Sequence, residues 1–420
     1  MIYSKPKTQP FNGFSPPKTV RSELKNGIPF IGLHDPNSEL MRLDVRLTAG
    51  SYFQQKPSIA AAALKLITEG TSLLSAEEIA EKLDYHGAYF EILTDRDFSS
   101  FTVYFPKTAA SDILNIIRQL FDDAAFPQEK IAIYKNHSKK NLSINLEKTS
   151  YLAYTQFIAN IFGEKHPYGL SLNLPDIDAI NREDIVQFYQ THFHAGNMRV
   201  FVAGNLDNSF KELINNTIGR LHGKTSNISD FIPPYPQTAR IHRIERENAL
   251  QSSICIGRRL FNRNHQDWEQ MTVLNTVLGA YFGSRLMTNI REDKGLAYGI
   301  HSQTTSFLQD GMFLISADVN KNQVQQATDE IYKELLLLTQ EEIPQKEIVL
   351  VKNFLYGTFL RQFDGIFSQI DRIIVSDDYH FEDAYWETCL KCYKSANSRT
   401  LLALANFCLQ PDSMAEIVVG

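Results

Sequence analysis

The chain has 420 residues, 43% of them hydrophobic and 21% charged, with a formal net charge of −6 and a pI near 6.0. That length exceeds one ordinary core, so two or more domains are expected in a water-soluble globular protein. The acidic balance and the lack of a Lys/Arg stripe argue against a nucleic-acid partner, and no run of 18 apolar residues is present to cross a membrane.

In chain order, residues 1–20, with several Pro, Lys and Thr, read as an N-terminal arm. Their start lacks the apolar core of a signal peptide, so a cytoplasmic location is expected. Residues 41–49 read as a strand, with Leu43, Val45 and Leu47 at every second position. Residues 57–69 read as a helix that is apolar almost all round, which predicts deep burial, and it runs into Gly70-Thr71. A strand at 99–105 and an amphipathic helix at 113–121 follow. His192 and His194 offer two imidazoles from one strand face. Further on come strands at 252–258 and 312–319, a helix at 284–292 broken by Gly295, a strand at 296–300 and a helix at 330–338.

There are four cysteines, Cys255, Cys389, Cys392 and Cys408, few enough to suggest reduced thiols. Cys389 and Cys392 form a C-x-x-C inside a helical pattern at 386–393. With no second pair to complete a zinc knuckle, ordinary helix packing is the expected role.

The chain is written twice. Pro127-Gln128, Ile131 and Lys135-Asn136 recur with the same spacing as Pro344-Gln345, Ile348 and Lys352-Asn353. Each copy is preceded by an amphipathic helix and closes with a strand, Met198 to Gly204 in one and Met414 to Gly420 in the other. Shared identities in one register indicate a tandem duplication. The division is an arm at 1–20, a first repeat at 21–222, a linker at 223–237 rich in small polar residues and proline, and a second repeat at 238–420. Short alternating strands segregated from helices predict an α+β class, each repeat a mixed sheet with helices on one face.

This order of elements resembles the pitrilysin-type (inverzincin) zinc peptidases, in their processing-peptidase branch with two-repeat subunits. The likeness runs from about Leu24 to the end. It is carried locally by Leu47-Thr48-Ala49-Gly50-Ser51, Gly70-Thr71, His166-Pro167-Tyr168-Gly169, Asn197-Met198 through Gly204, and above all Gly283-Ser284-Arg285-Leu286 through Arg291 and Gly295-Leu296-Ala297-Tyr298. The resemblance implies two similar α/β-roll domains forming half of a clamshell around a peptide chamber.

In active members of that family an H-x-x-E-H helix a fixed distance before Gly-Thr supplies two zinc ligands and a general base. Counting back from Gly70, the ligands fall on Ala61 and Lys65 and the base on Leu64. The third ligand, a Glu, falls near Lys140-Asn141, with Glu147 the closest carboxylate downstream. Zinc catalysis needs three protein donors and an open position for a water whose pKa the metal lowers, and these positions do not provide them. Lys65 either sets an ammonium where the metal would sit or reaches solvent. The second half matches the family's Arg/Tyr pair at Arg291 and Tyr298. The resemblance makes these donors to peptide carbonyls near the scissile bond, where an oxyanion develops. From spacing alone, Arg291 would instead pair with a nearby carboxylate and Tyr298 pack under the sheet. The resemblance further places the peptide's edge strand at 47–50 and makes the position of His192 and His194 a plain helix-to-strand junction.

The expectation is therefore a non-catalytic, peptide-binding subunit of a heterodimeric zinc endopeptidase. It holds no metal itself, its homologous partner carries H-x-x-E-H and the zinc, and Arg291 and Tyr298 serve the partner's active site. The alternative is a homodimeric peptide-binding or scaffold protein derived from such a peptidase.

Overall fold

A computed structural model describes residues 13–223, 241–247 and 249–420. The expected linker at 223–237, apart from Gly223, and most of the arm lie outside the described residues. In the first half the strands are β1 (Val20–Glu23), β2 (Pro29–His34), β3 (Leu40–Leu47), β4 (Tyr89–Thr94), β5 (Ser99–Pro106) and β6 (Met198–Gly204). The helices are α1 (Ile59–Leu66), α2 (Ala76–Tyr85), α3 (Ala110–Asp122), α4 (Gln128–Leu146), α5 (Thr149–Phe162), α6 (Leu174–Asp178), α7 (Arg182–His192) and α8 (Asn208–Asn216). The strands form one mixed sheet in the order β1-β2-β6-β3-β5-β4.

The second half contains β7 (Ile241–Ile244), β8 (Gln251–Leu260), β9 (Ala297–Ser306), β10 (Gly311–Asn320) and β11 (Ala415–Val419). Its helices are α9 (Trp268–Leu278), α10 (Val324–Gln340), α11 (Gln345–Arg361), α12 (Ile366–Asp378), α13 (Tyr385–Ser395) and α14 (Ser398–Cys408), and its sheet runs β7-β11-β8-β10-β9. With β1 set aside, the two sheets have one topology. Each has a single parallel pair, β2 with β6 and β7 with β11, made when the last strand of a half inserts beside its first. The α+β class expected from the sequence is the one observed. None of the described helices is long and apolar enough to cross a membrane.

The period of two along β3 sets its two faces. Met41, Leu43, Val45 and Leu47 are all fully buried and pack with α1 and α3 in the main core of the first half. Arg42, Asp44 and Arg46 point the other way. Helices of its own half cover the first face of each sheet, and a helix of the opposite half covers the second. α5 lies on β8 and β11, with Ala153, Phe157, Ile158 and Ile161 against Cys255, Met312, Leu314, Ala415 and Ile417. α12 lies on β2 and β6, with Ile370 and Ile373 against Ile31, Leu33, Phe201 and Ala203. α5 and α12 follow the helices that carry the duplicated Pro-Gln motif, so the halves exchange equivalent elements.

The two covers differ in chemistry. The contact of α12 includes a ring of ion pairs. Asp378 accepts from Arg46 and from Arg199, each at 2.7 Å, and Asp371 accepts from Arg42 at 2.6 Å. Arg42 also grips Asp44 with two bonds of 2.9 Å. Asp44 is buried, and desolvation raises its pKa against the pull of Arg42.

Candidate functional site

The helix that carries the expected metal positions is α1. It begins after Ser58, which sits in left-handed backbone, and it tightens into a last turn over Ile67–Glu69 before Gly70 at φ 135°. It is thus shorter than the expected 57–69. Ile59, Ala60, Ala62, Ala63, Leu64 and Leu66 are buried, as an all-apolar helix requires. Leu64, where a general base would stand, belongs to the core. Ala61 is partly exposed, and Lys65 is exposed with no ion pair among the described residues. A methyl group, an isobutyl group and an ammonium offer no lone pair to a metal, so these residues do not fit zinc. Lys140, Asn141 and Glu147 are all exposed, on or just beyond α4. Among the described residues no group of three His, Cys, Asp or Glu could hold a metal ion.

The expected peptide-laying edge at 47–50 is corrected by the register. β3 is an interior strand, with Leu47 opposite Ser99 on one side and Met198 on the other. The backbone beyond it is also taken. Thr48 C=O accepts from Asn197 and Ala49 C=O from Ser99, and Gly50, Ser51 and Tyr52 donate to the β4–β5 turn. The open edge beside α1 is β4, which alternates exposed Tyr89, Glu91 and Leu93 with half-buried Phe90, Ile92 and Thr94. Alternation in the sequence marks strands but does not say which of them ends the sheet.

Arg291 and Tyr298 are brought together. Arg291 lies in a π-helical turn, Met287–Asp293, closed by Leu296 N–H donating to Ile290 C=O, and Gly295 at φ 60° redirects the chain into β9. The guanidinium carbon stands 5.8 Å from the ring centre of Tyr298 and 5.4 Å from that of Phe282. Tyr298 is 86% exposed and Phe282 63% exposed, on the outer edge strand of the second sheet and the turn beside it. Other cations nearby are held by carboxylates. Arg285 pairs with Glu347 through two bonds of 2.9 Å, and Lys294 pairs with Glu330. Arg291 has no such partner among the described residues. Neither feature of the alternative arrangement, an acid-paired Arg or a Tyr under the sheet, is present.

His192 and His194 do not converge. His192 packs on Phe188 and Phe53, and burial, with His194 nearby, lowers its pKa to about 4. His194 turns its Nε2 to Thr191 C=O. The C-x-x-C sits on α13 with Cys389 in the second core, and burial raises both thiol pKa values, which disfavours the reactive thiolate.

The His166-Pro167-Tyr168-Gly169 motif joins the halves. Buried Tyr168 donates to Asp97 Oδ1 at 2.6 Å, accepts from Gln309 N–H, and stacks on Phe307 at 4.4 Å. Asp97 also accepts from Leu308 N–H at 3.0 Å, and desolvation raises its pKa to about 6.

Between α1, the β4–β5 turn and α5 lies an open cleft of about 420 Å3, with Ala61 in its wall. Arg96 and Ser171 line it. Sequence reading passed over both, because an Arg between two Asp in a strand turn is ordinary surface chemistry until the fold surrounds it.

Residues 179–355 match the family model described as Peptidase M16 inactive domain. The uncharacterized zinc protease YmxG of Bacillus subtilis (strain 168) is 23% identical over 356 residues, spanning 84% of this chain and 86% of that protein. An uncharacterized zinc protease of Rickettsia felis is 23% identical over 352 residues, spanning 81% and 82%. Among solved structures, a peptidase M16 inactive domain from Pseudomonas fluorescens superposes with a TM-score of 0.88 at 20% identity, covering 96% of this chain and 98% of that one. A protease from Helicobacter pylori superposes at 0.84 and 18% identity, covering 96% and 99%.

Proposed function

We propose that this chain, which belongs to the M16 (pitrilysin-type) peptidase family, is the non-catalytic, peptide-binding subunit of a two-chain zinc endopeptidase. The partner is a homologous subunit that carries H-x-x-E-H and holds the zinc, and this chain reaches into the partner's site with Arg291 and Tyr298. The observation that carries the reading is the contrast within one turn. Arg285 and Lys294 are spent on carboxylates, while Arg291, among the described residues, leans on exposed rings beside an edge strand and pairs with no carboxylate. A guanidinium and a phenol presented together to solvent are donors without acceptors, suited to the carbonyls of an incoming peptide. Four unpaired cysteines suit the cytoplasm.

The chemistry assigned to this chain is positional. Arg291 and Tyr298 hold the peptide carbonyl and its developing oxyanion, and bond cleavage belongs to the partner. Mild affinity purification of the chain from its own cells should bring down a stoichiometric subunit of similar size with H-x-x-E-H. In the assembled pair, Tyr298→Phe should raise the barrier by about 1–3 kcal/mol, the scale of one lost donor, and Arg291→Ala by at least as much. Unchanged turnover in both variants would sink the role. Recovery of a second copy of this chain alone would transfer the reading to a homodimeric scaffold.

A further inference from the structure

The cleft at Ala61 has a polarity that the lost metal site does not account for. Arg96 lines it from the β4–β5 turn, part-buried, and among the described residues its side chain donates one hydrogen bond, a long one of 3.4 Å to Leu170 C=O. No carboxylate pairs with it among the described residues. Ser171 lines the same cleft, and its buried hydroxyl has no hydrogen-bond partner among the described residues. α5 contributes the opposite wall. Its stripe of Tyr151, Tyr154, Thr155 and Ile158 faces the cleft, while the stripe through Ala153, Phe157 and Ile161 lies on the second sheet. Burial raises the pKa of both tyrosines, which keeps their hydroxyls protonated as donors.

The buried hydroxyl of Ser171 is unfavourable until a partner completes it. Burial also works against the charge of Arg96, whose neighbour Asp97 offsets it without a salt bridge among the described residues, so an anion in the cleft would be favoured. The set offers one positive charge and several neutral donors, which suits a monoanion. Asp95 also lines the cleft, but its Oδ1 accepts N–H of Asp97 and Phe98 and its Oδ2 lies 3.7 Å from Arg46, so its charge is partly met elsewhere.

We infer that this cleft is a carboxylate-binding subsite in which Arg96, Ser171, Tyr151 and Tyr154 hold the carboxylate of a bound peptide beside the vacated metal position. The inference builds on the peptide-binding reading but not on the existence of a partner. A carboxylate reaches the cleft either as a peptide's C-terminus or as an Asp or Glu side chain.

The test is calorimetric, on the full chain alone. The probes are acetyl-Ala-Ala-Ala with a free C-terminus, the same peptide as its C-terminal amide, and acetyl-Ala-Glu-Ala amide. Binding of either acid but not of the neutral amide is expected, and which acid binds identifies the source. Arg96→Gln should weaken it roughly tenfold to a hundredfold, as for one lost charge-assisted contact, with Arg96→Lys between Gln and wild type. Tyr154→Phe and Ser171→Ala, gentler on the fold, should each weaken it by a smaller factor. The inference is overturned if acid and amide bind alike, if no probe binds at millimolar concentration, if inorganic phosphate binds and no carboxylate does, or if the folded variants bind as wild type does. Because no partner is needed, failure of the two-subunit reading would leave this result standing, and the reverse also holds.

Discussion

α5 and α12 hold equivalent places in the two halves and perform the same task in opposite directions, each closing the other half's sheet. α5 does so with an apolar seam, whereas α12 adds Asp371, Asp377 and Asp378 against Arg42, Arg46 and Arg199. The comparison teaches that this fold constrains position more than chemistry. What it requires at each cover is a complementary surface, and hydrophobic burial or neutralised charge can each supply one. The same freedom shows in the functional region. α1 carries no metal donor and holds its place under the sheet through its apolar face.

The comparison can be broken first at Asp378. Its side chain is 4% exposed and faces two guanidiniums, so among the described residues Asp378→Ala leaves Arg199 with Asp377 alone and Arg46 with only the 3.7 Å contact to Asp95, and should cost about 3 kcal/mol in urea unfolding, the low end for a broken buried pair. Adding Arg46→Met and Arg199→Met should recover much of that loss, since the cost lies in the stranded charges. A triple variant no better than Asp378→Ala would show that packing alone decides this seam. On the apolar cover, Ile161→Ala should cost about 2–3 kcal/mol, the low part of the range for such a truncation, because Phe157 and Phe162 can close in. A loss below about 0.5 kcal/mol in the same assay would mean that α5 is not a structural cover.

The smallest effect concerns the polar link at Asp97. Its native pKa is raised, so between the ordinary carboxylate value and about 6 the folded chain holds a proton that the unfolded chain has released. Its contribution to stability is therefore fully present at low pH and is lost as pH rises through about 6, by at most about 1.4 kcal/mol per unit. Asp97→Asn removes that slope, so the variant's stability relative to wild type should climb between pH 4 and pH 6.5. Parallel stability–pH curves would assign the titration elsewhere.

Much of the candidate site was legible in residue order. The positions Ala61, Leu64 and Lys65 come from the family resemblance and its distance to Gly70, and their side chains carry no metal donor. The meeting of Arg291 and Tyr298 follows from a helical turn, a left-handed glycine and a strand within eight residues. The edge was misplaced because the resemblance set it at 47–50, whereas neighbouring strands, which a local motif does not contain, decide that β4 and not β3 is open.

By itself the sequence determined the α+β class, the repeated order of elements, the burial of α1 and the absence of zinc donors on it. These rest on short-range periodicity and on which atoms a side chain carries. Only the tertiary structure decided that the halves exchange α5 and α12, that β4 is the open edge, that among the described residues Arg285 and Lys294 find carboxylates while Arg291 does not, and that Arg96 and Ser171 meet in one cleft. Each of those outcomes depends on a partner tens or hundreds of residues away. A cation in the sequence carries its charge with it, but whether that charge is neutralised or left to meet a ligand is settled by which distant segments the fold brings beside it.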